Sequence, residues 1–140
     1  MLSLSTDLQL AFGGQLNLCD LLEALADSLP DHLDRQQCLH IARSIGRIIK
    51  HAHATEETLL FPTIIARHGD KGAALIEHLR REQFEDEYFA DEVQLALFQA
   101  GKGVSTLTPE ATGYMLRGFF DGIRQHVRHG RELVEMSTTS

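Results

Sequence analysis

Apolar residues recur at helical spacing along nearly the whole chain, and no stretch sustains the period-two alternation of a half-buried strand. Four amphipathic segments stand out. The first carries Leu8, Ala11, Phe12, Cys19, Leu22 and Leu29 on one face and runs from about Asp7 to Ser28, where Pro30 closes it. Gly13 and Gly14 weaken its first half. The second opens near Asp34, turns Cys38, Ile41, Ile45, Ile48, Ile49, Ala52, Leu59 and Leu60 inward, and ends around Pro62 or one turn later, with Gly69 as the stop. The third spans about Asp70 to Gln99, with Leu75, Leu79, Ala90, Val93 and Leu97 on its stripe and Gly101 as terminator. After the loop GKGVSTL, Thr108-Pro109-Glu110 joins an N-cap hydroxyl, a first-turn proline and an acid at the positive end of the helix dipole. That signal starts a fourth helix reaching about Glu135, with Leu116, Phe119, Ile123, Leu133 and Val134 inward. Short connections between long helices predict antiparallel neighbours, hence an all-α, up-down-up-down four-helix bundle. The 140 residues suit one domain over 1–140, with ends at 1–6 and 137–140 expected to fray.

Several polar residues fall on these stripes. Glu56 lies near the centre of the second, with His53 on its edge, Glu57 farther out and His51 pointing away. Gln83 and Asp86 lie inside the third, flanked by Glu82 and Glu87. His126 and Gly130 occupy the centre of the fourth, with His129 to one side, and Gln15 lies inside the first. Carboxylates on a buried face are costly without a partner. A metal cation is one compensation. A protonated His126 paired with Glu56 or Asp86 is another, and the helical wheel leaves both open.

Composition narrows the function. The net charge is −7 with no basic cluster, which argues against a nucleic-acid or anionic-membrane partner. Cys19 and Cys38 are too few for a disulfide framework and suit a reducing cytosol, filling core positions as small apolar groups. The N-terminal stretch MLSLSTDLQL lacks a cationic region and a long apolar run, so neither signal peptide nor membrane span is expected, and a cytoplasmic location is. Gly118 and Gly122, four apart, permit close helix approach or mark a homodimer face to which Phe120 and Tyr114 add apolar area. No nucleophile–base pair, glycine-rich phosphate loop or Cys/His zinc spacing is present, so a binding protein is expected rather than an enzyme.

The segments HAHATEETLLFP, LRREQFEDEYFADE and YMLRGFFDGIRQHVRHGRE occur in that order. They resemble the helix-2, helix-3 and helix-4 motifs of the hemerythrin-like, or HHE cation-binding, family, over almost the whole chain. The resemblance implies a four-helix bundle holding a non-haem di-iron site. Its ligands would be a His from helix 1, His-x-x-x-Glu from helix 2, a His near acids from helix 3 and a second His-x-x-x-Glu from helix 4. This chain departs from the pattern at each helix. Phe12-Gly13-Gly14 stands where the first His is expected, Gln83 stands at the helix-3 His, and His126 is followed at i+4 by Gly130. On helix 2, anchoring on LLFP selects Glu56 with Ala52 at the His position, whereas anchoring on His-x-x-x-Glu selects His53 and Glu57.

The candidate ligands are therefore His53, Glu56, Glu57, Asp86 and His126, with Glu82, Gln83 and His129 in reserve. That set suits one mononuclear site better than a histidine-rich di-iron pair. Two functions follow. One is a binding protein holding iron, mononuclear or di-iron, or another divalent cation, for binding or sensing a small diatomic ligand (dioxygen or nitric oxide) or peroxide. The other is a metal-free, hemerythrin-like structural or interaction module, with a homodimer as one form.

Overall fold

A computed structural model describes the backbone of residues 2–138 and the side chains of residues 6–137. The elements are α1 (Leu2–Ser28), α2 (Arg35–Thr55), a π-turn (Glu56–Leu60), α3 (Phe61–Lys102) and α4 (Pro109–Thr138), with no strand among the described residues. Helix α1 starts at Leu2, ahead of the Asp7 that the pattern suggested. Of the ends expected to fray, residues 2–6 and 137–138 are helical, while residues 1, 139 and 140 lie outside the described residues.

The all-α expectation holds, but the clean up-down-up-down four-helix bundle does not. Helical structure continues from Arg35 to Lys102 through α2, the π-turn and α3, so the described chain forms three helices, the middle one long and bent. Two local features explain the missing break. Pro62 falls in the first turn of α3, where its absent N–H costs little. The π-turn ahead of it has already shifted the bonding, since the Phe61 N–H reaches back five residues to the Glu56 carbonyl. Gly69 supplies no loop. It is a single non-helical residue inside α3, at φ 54° and ψ −130°, a conformation open to glycine and strained for other residues.

Contacts across the bend fix the antiparallel course of its two arms. Gln94 Nε2 donates to the Ala42 carbonyl at 2.6 Å, and Arg35 Nε donates to the Gly101 carbonyl at 3.1 Å. Side-chain caps start two helices, one at Thr108 as the sequence predicted and one at Asp34. Asp34 Oδ1 accepts the Gln37 N–H at 3.1 Å, and Thr108 Oγ1 accepts the Ala111 N–H at 3.1 Å.

One apolar core joins the three helices. It includes Phe12 and Leu22 of α1, Ile45 and Ile49 of α2, Ile64 and Val93 of α3, and Phe119 and Ile123 of α4. Cys19 and Cys38 are buried and free, and burial pushes their thiols up to about 12 and about 11. Leu75, assigned to the inward stripe by spacing, is exposed because the buried face of this stretch runs through Gly72, Ile76 and Leu79. A Cβ at Gly118 would meet the Phe89 ring at 3.7 Å, so this glycine row serves the approach of α4 to α3 within the chain. Phe120 is buried in the same core, and only Tyr114 is exposed. No described helix is long and apolar enough to cross a membrane.

Alanine substitution at two glycines should have opposite signs. Gly69→Ala forces a side chain into the positive-φ bend and should cost about 1–3 kcal/mol. Gly14→Ala, in open space on helical backbone of α1, should stabilise by about 1 kcal/mol. Urea unfolding of both variants checks this, and equal effects would remove the special role of the bend.

Candidate metal centre

The π-turn sets which carboxylate of the helix-2 motif faces the core. Its extra residue per turn brings both Leu60 and Phe61 inward and leaves Glu56 with no solvent exposure. Glu57 is turned out, where Arg80 Nε and Nη2 hold its two oxygens at 2.9 and 3.1 Å. Glu57 therefore does not join the cluster, which takes Glu56 from one helix-2 register and His53 from the other. His53, one turn earlier on α2, is buried.

Three helices converge on Glu56. Its Oε1 lies 2.8 Å from His126 Nε2 of α4 and accepts from Gln83 Nε2 of α3 at 3.1 Å. His53 stands beside this group, its ring edge-to-face with His126 at a centroid distance of 5.2 Å. His53 Nδ1 is 2.7 Å from Glu87 Oε2. His126 Nδ1 lies 3.3 Å from Glu82 Oε1 and 3.9 Å from Asp86 Oδ2. Ligating atoms of His53, Glu56 and His126 all fall within 4.8 Å of one another.

Burial and hydrogen bonding compete for the charges. Burial works against a charged His126, but its hydrogen bonds to Glu56 and Glu82 and the nearby Asp86 outweigh that and hold its pKa up at about 10. For His53 burial wins over the Glu87 contact, and its pKa is lowered. Burial raises Asp86 to about 7, only partly opposed by His126. Glu82 also suffers from burial, yet the two histidines it faces bring its pKa below the usual value.

The cluster is not self-sufficient. His53 Nε2, Glu56 Oε2 and Asp86 Oδ2 are buried side-chain atoms without a hydrogen-bond partner, each a cost of about 1–3 kcal/mol. His53 in particular has one ring nitrogen fixed by a carboxylate and the other free, the arrangement of a metal-ligating imidazole. The opposite side of Glu56 is closed. Phe12 of α1 is fully buried there, and a Cβ at Gly130 would lie 2.9 Å from its Cε1 and 3.1 Å from Glu56 Oε2. A phenyl ring thus occupies the helix-1 side, and α4 presents no side chain at the position after His126 where a carboxylate was expected.

A second group lies farther out. His129 Nδ1 is 2.9 and 3.1 Å from the two oxygens of Glu82, and His78 Nε2 is 3.9 Å from Glu82 Oε2. Both clusters can coordinate a metal, and both are partial. Of the predicted residues, His53, Glu56 and His126 meet in the inner cluster, Gln83, Asp86 and Glu82 border it, and His129 belongs to the outer one. Sequence reasoning left out Glu87 and His78. Glu87 was readable as the residue one turn beyond Gln83, and His78 as the i, i+4 partner of Glu82.

The inner cluster makes two checkable demands. A histidine whose folded pKa exceeds its unfolded value stabilises fully below the unfolded value, and that stability is lost as pH rises toward the folded one. Below neutrality the raised Asp86 and lowered His53 contribute with opposite signs. In the alkaline range beyond about 9 the unfolded thiols ionise. Between these, from about pH 7 to about pH 8.5, the metal-free protein should lose roughly 1–2 kcal/mol, and His126→Gln should flatten the slope. Urea unfolding across that range provides the measurement. Separately, Gly130→Ala should cost about 1–3 kcal/mol by overpacking against Phe12. In a double-mutant cycle with Phe12→Ala the two losses should add to less than their sum; strict additivity would contradict the contact.

Residues 14–134 match a family model described as Hemerythrin HHE cation binding domain. Neither the comparison with curated proteins nor that with solved structures gives a match.

Proposed function

The chain belongs to the hemerythrin HHE cation-binding domain family, and we propose that it binds a single divalent cation at His53, Glu56 and His126, with the second half of the family's di-iron site closed by Phe12. The observation that carries this reading is the unpartnered, buried His53 Nε2, in a group whose ligating atoms from His53, Glu56 and His126 lie within 4.8 Å of one another. The donor set of two imidazoles and a carboxylate fits iron(II) and its neighbours in the first transition row. Such a cation, when bound, supplies a Lewis-acidic and redox-active centre for dioxygen, nitric oxide or peroxide.

The chain's own residues do the rest. Glu87 fixes the His53 ring and leaves Nε2 free. Glu82 orients His126 from its other nitrogen. Gln83 holds Glu56 Oε1 in place. Phe12 excludes water on the helix-1 side. Glu82, Asp86 and Glu87 are partly exposed, so α3 offers the route between cluster and solvent. We take the chain as one domain working in the cytoplasm, where its two buried thiols stay reduced. The family description names cation binding and no reaction, in keeping with a carrier or sensor.

A second reading also has support. Glu56 Oε1 is already engaged by His126 and Gln83, which allows a metal-free module stabilised by a buried ion pair. The two readings separate in an anaerobic iron(II) titration of tag-free protein followed by thermal melting and metal analysis. For a cation site, iron should raise the melting temperature, by an amount that grows with free iron. His53→Ala should abolish that rise while leaving the His126–Glu56 contact. A melting temperature indifferent to iron, in protein that retains none, would leave the metal-free module.

A further inference from the structure

The outer cluster sits apart from the buried one in exposure and in chemistry. His78 and Glu82 are four residues apart on α3, so both lie on one face of that helix. His129 meets them from α4. The His78 and His129 rings approach to a centroid distance of 5.9 Å, and Glu82 Oε2 lies between them at 3.9 and 2.9 Å. The side chains of His78, Glu82 and His129 are 60%, 19% and 28% exposed, whereas those of Glu56 and His126 in the inner cluster are wholly covered.

A simple pairing of His129 with Glu82 does not account for this. It leaves out His78, the i, i+4 neighbour of Glu82 on α3, whose ring faces the same carboxylate and the His129 ring. Ligating atoms of all three residues fall within 4.8 Å of one another, the spacing a single ion requires. Next to them runs a groove of about 200 Å³ whose walls include His78, His129, Glu132, Leu133 and Met136. Glu132 thus provides a further carboxylate on the same wall, one turn beyond His129.

We propose that His78, Glu82 and His129 form a second, solvent-accessible site for a transition cation of the zinc type, one that exchanges freely while the inner site is buried. Two imidazoles with one carboxylate match the preferences of Zn²⁺, Co²⁺ and Ni²⁺. Ca²⁺ and Mg²⁺, which require oxygen ligands, fit poorly. The fourth position faces the groove, open to Glu132 or to a water. Glu82 contacts both His126 and His129 and is the one residue that touches both clusters. The outer site otherwise uses no residue of the inner cluster, so it stands or falls independently of the inner-site reading.

Co²⁺ is the probe, because its visible absorption reports coordination directly. The full-length, tag-free chain is titrated with Co²⁺ near neutral pH alongside His78→Ala, His129→Ala and Glu56→Gln. Circular dichroism confirms that each variant keeps its helix content. The two outer variants should each weaken one class of Co²⁺ site by tenfold or more, and Glu56→Gln should leave that class in place. If both outer variants retain every Co²⁺ equivalent at unchanged affinity, the outer site is overturned whatever the buried cluster does. If the equivalent persists in both outer variants and vanishes in Glu56→Gln, the binding belongs to the inner cluster, which also overturns the outer site. A class lost in the outer variants and unaffected by Glu56→Gln supports the proposal even where the inner cluster binds nothing.

Discussion

A carboxylate with no solvent exposure lies at the centre of this molecule, and much of the surrounding structure serves to make its burial tolerable. Removing a carboxylate from water costs several kcal/mol unless a positive partner and hydrogen bonds replace the solvent. Glu56 receives both from other helices, His126 from α4 and Gln83 from α3. One side chain therefore fixes the height at which three segments meet. The π-turn is the backbone's part in this arrangement. It admits one residue more than an α-turn holds, and so lets Glu56 point inward while Leu60 and Phe61 still reach the core.

Phe12 and Gly130 are best understood together. The family's usual site requires ligands from the first helix and a carboxylate after the last histidine. Here the first helix supplies a phenyl ring, and the last one supplies no side chain where the ring needs room. The closeness of the ring to the Gly130 backbone shows that these two departures form one packing solution. The side of Glu56 that faces the first helix is therefore apolar core. What remains of the site keeps two histidines and a glutamate, two of whose polar atoms still lack partners.

Charge is graded outward from that point. With no cation bound, the three acids around His126 favour its protonated form against the cost of burial, while His53, with burial prevailing over one carboxylate, is held neutral more readily. Between the inner cluster and solvent stand Glu82, Asp86 and Glu87, all on α3. Glu82 belongs to both groups of histidines, so the buried and exposed clusters share one acid and are linked by it. Part of the acidic run on α3 is thus turned toward the histidines rather than wholly toward solvent.

The sequence by itself determined the all-α character, the Thr108 cap and most of the apolar stripes, because these follow from local spacing and from the bonding needs of helix ends. It also placed Glu56, Gln83, Asp86 and His126 on inward faces, since a helical wheel needs no knowledge of neighbours. What it left open between Glu56 and Glu57 depended on a π-turn, which shifts the phase of every residue after it and has no signature in hydrophobic period. It likewise read Gly69 as the end of one helix and the start of another, because glycine marks a stop without showing whether one residue is enough to reverse direction. Only the tertiary structure decided that His53 meets Glu87, that His78 and His129 share Glu82, and that Phe12 fills the space beside Gly130. Each of these joins side chains from helices far apart in sequence, and their relative height is set by packing of the whole core, which no single segment contains.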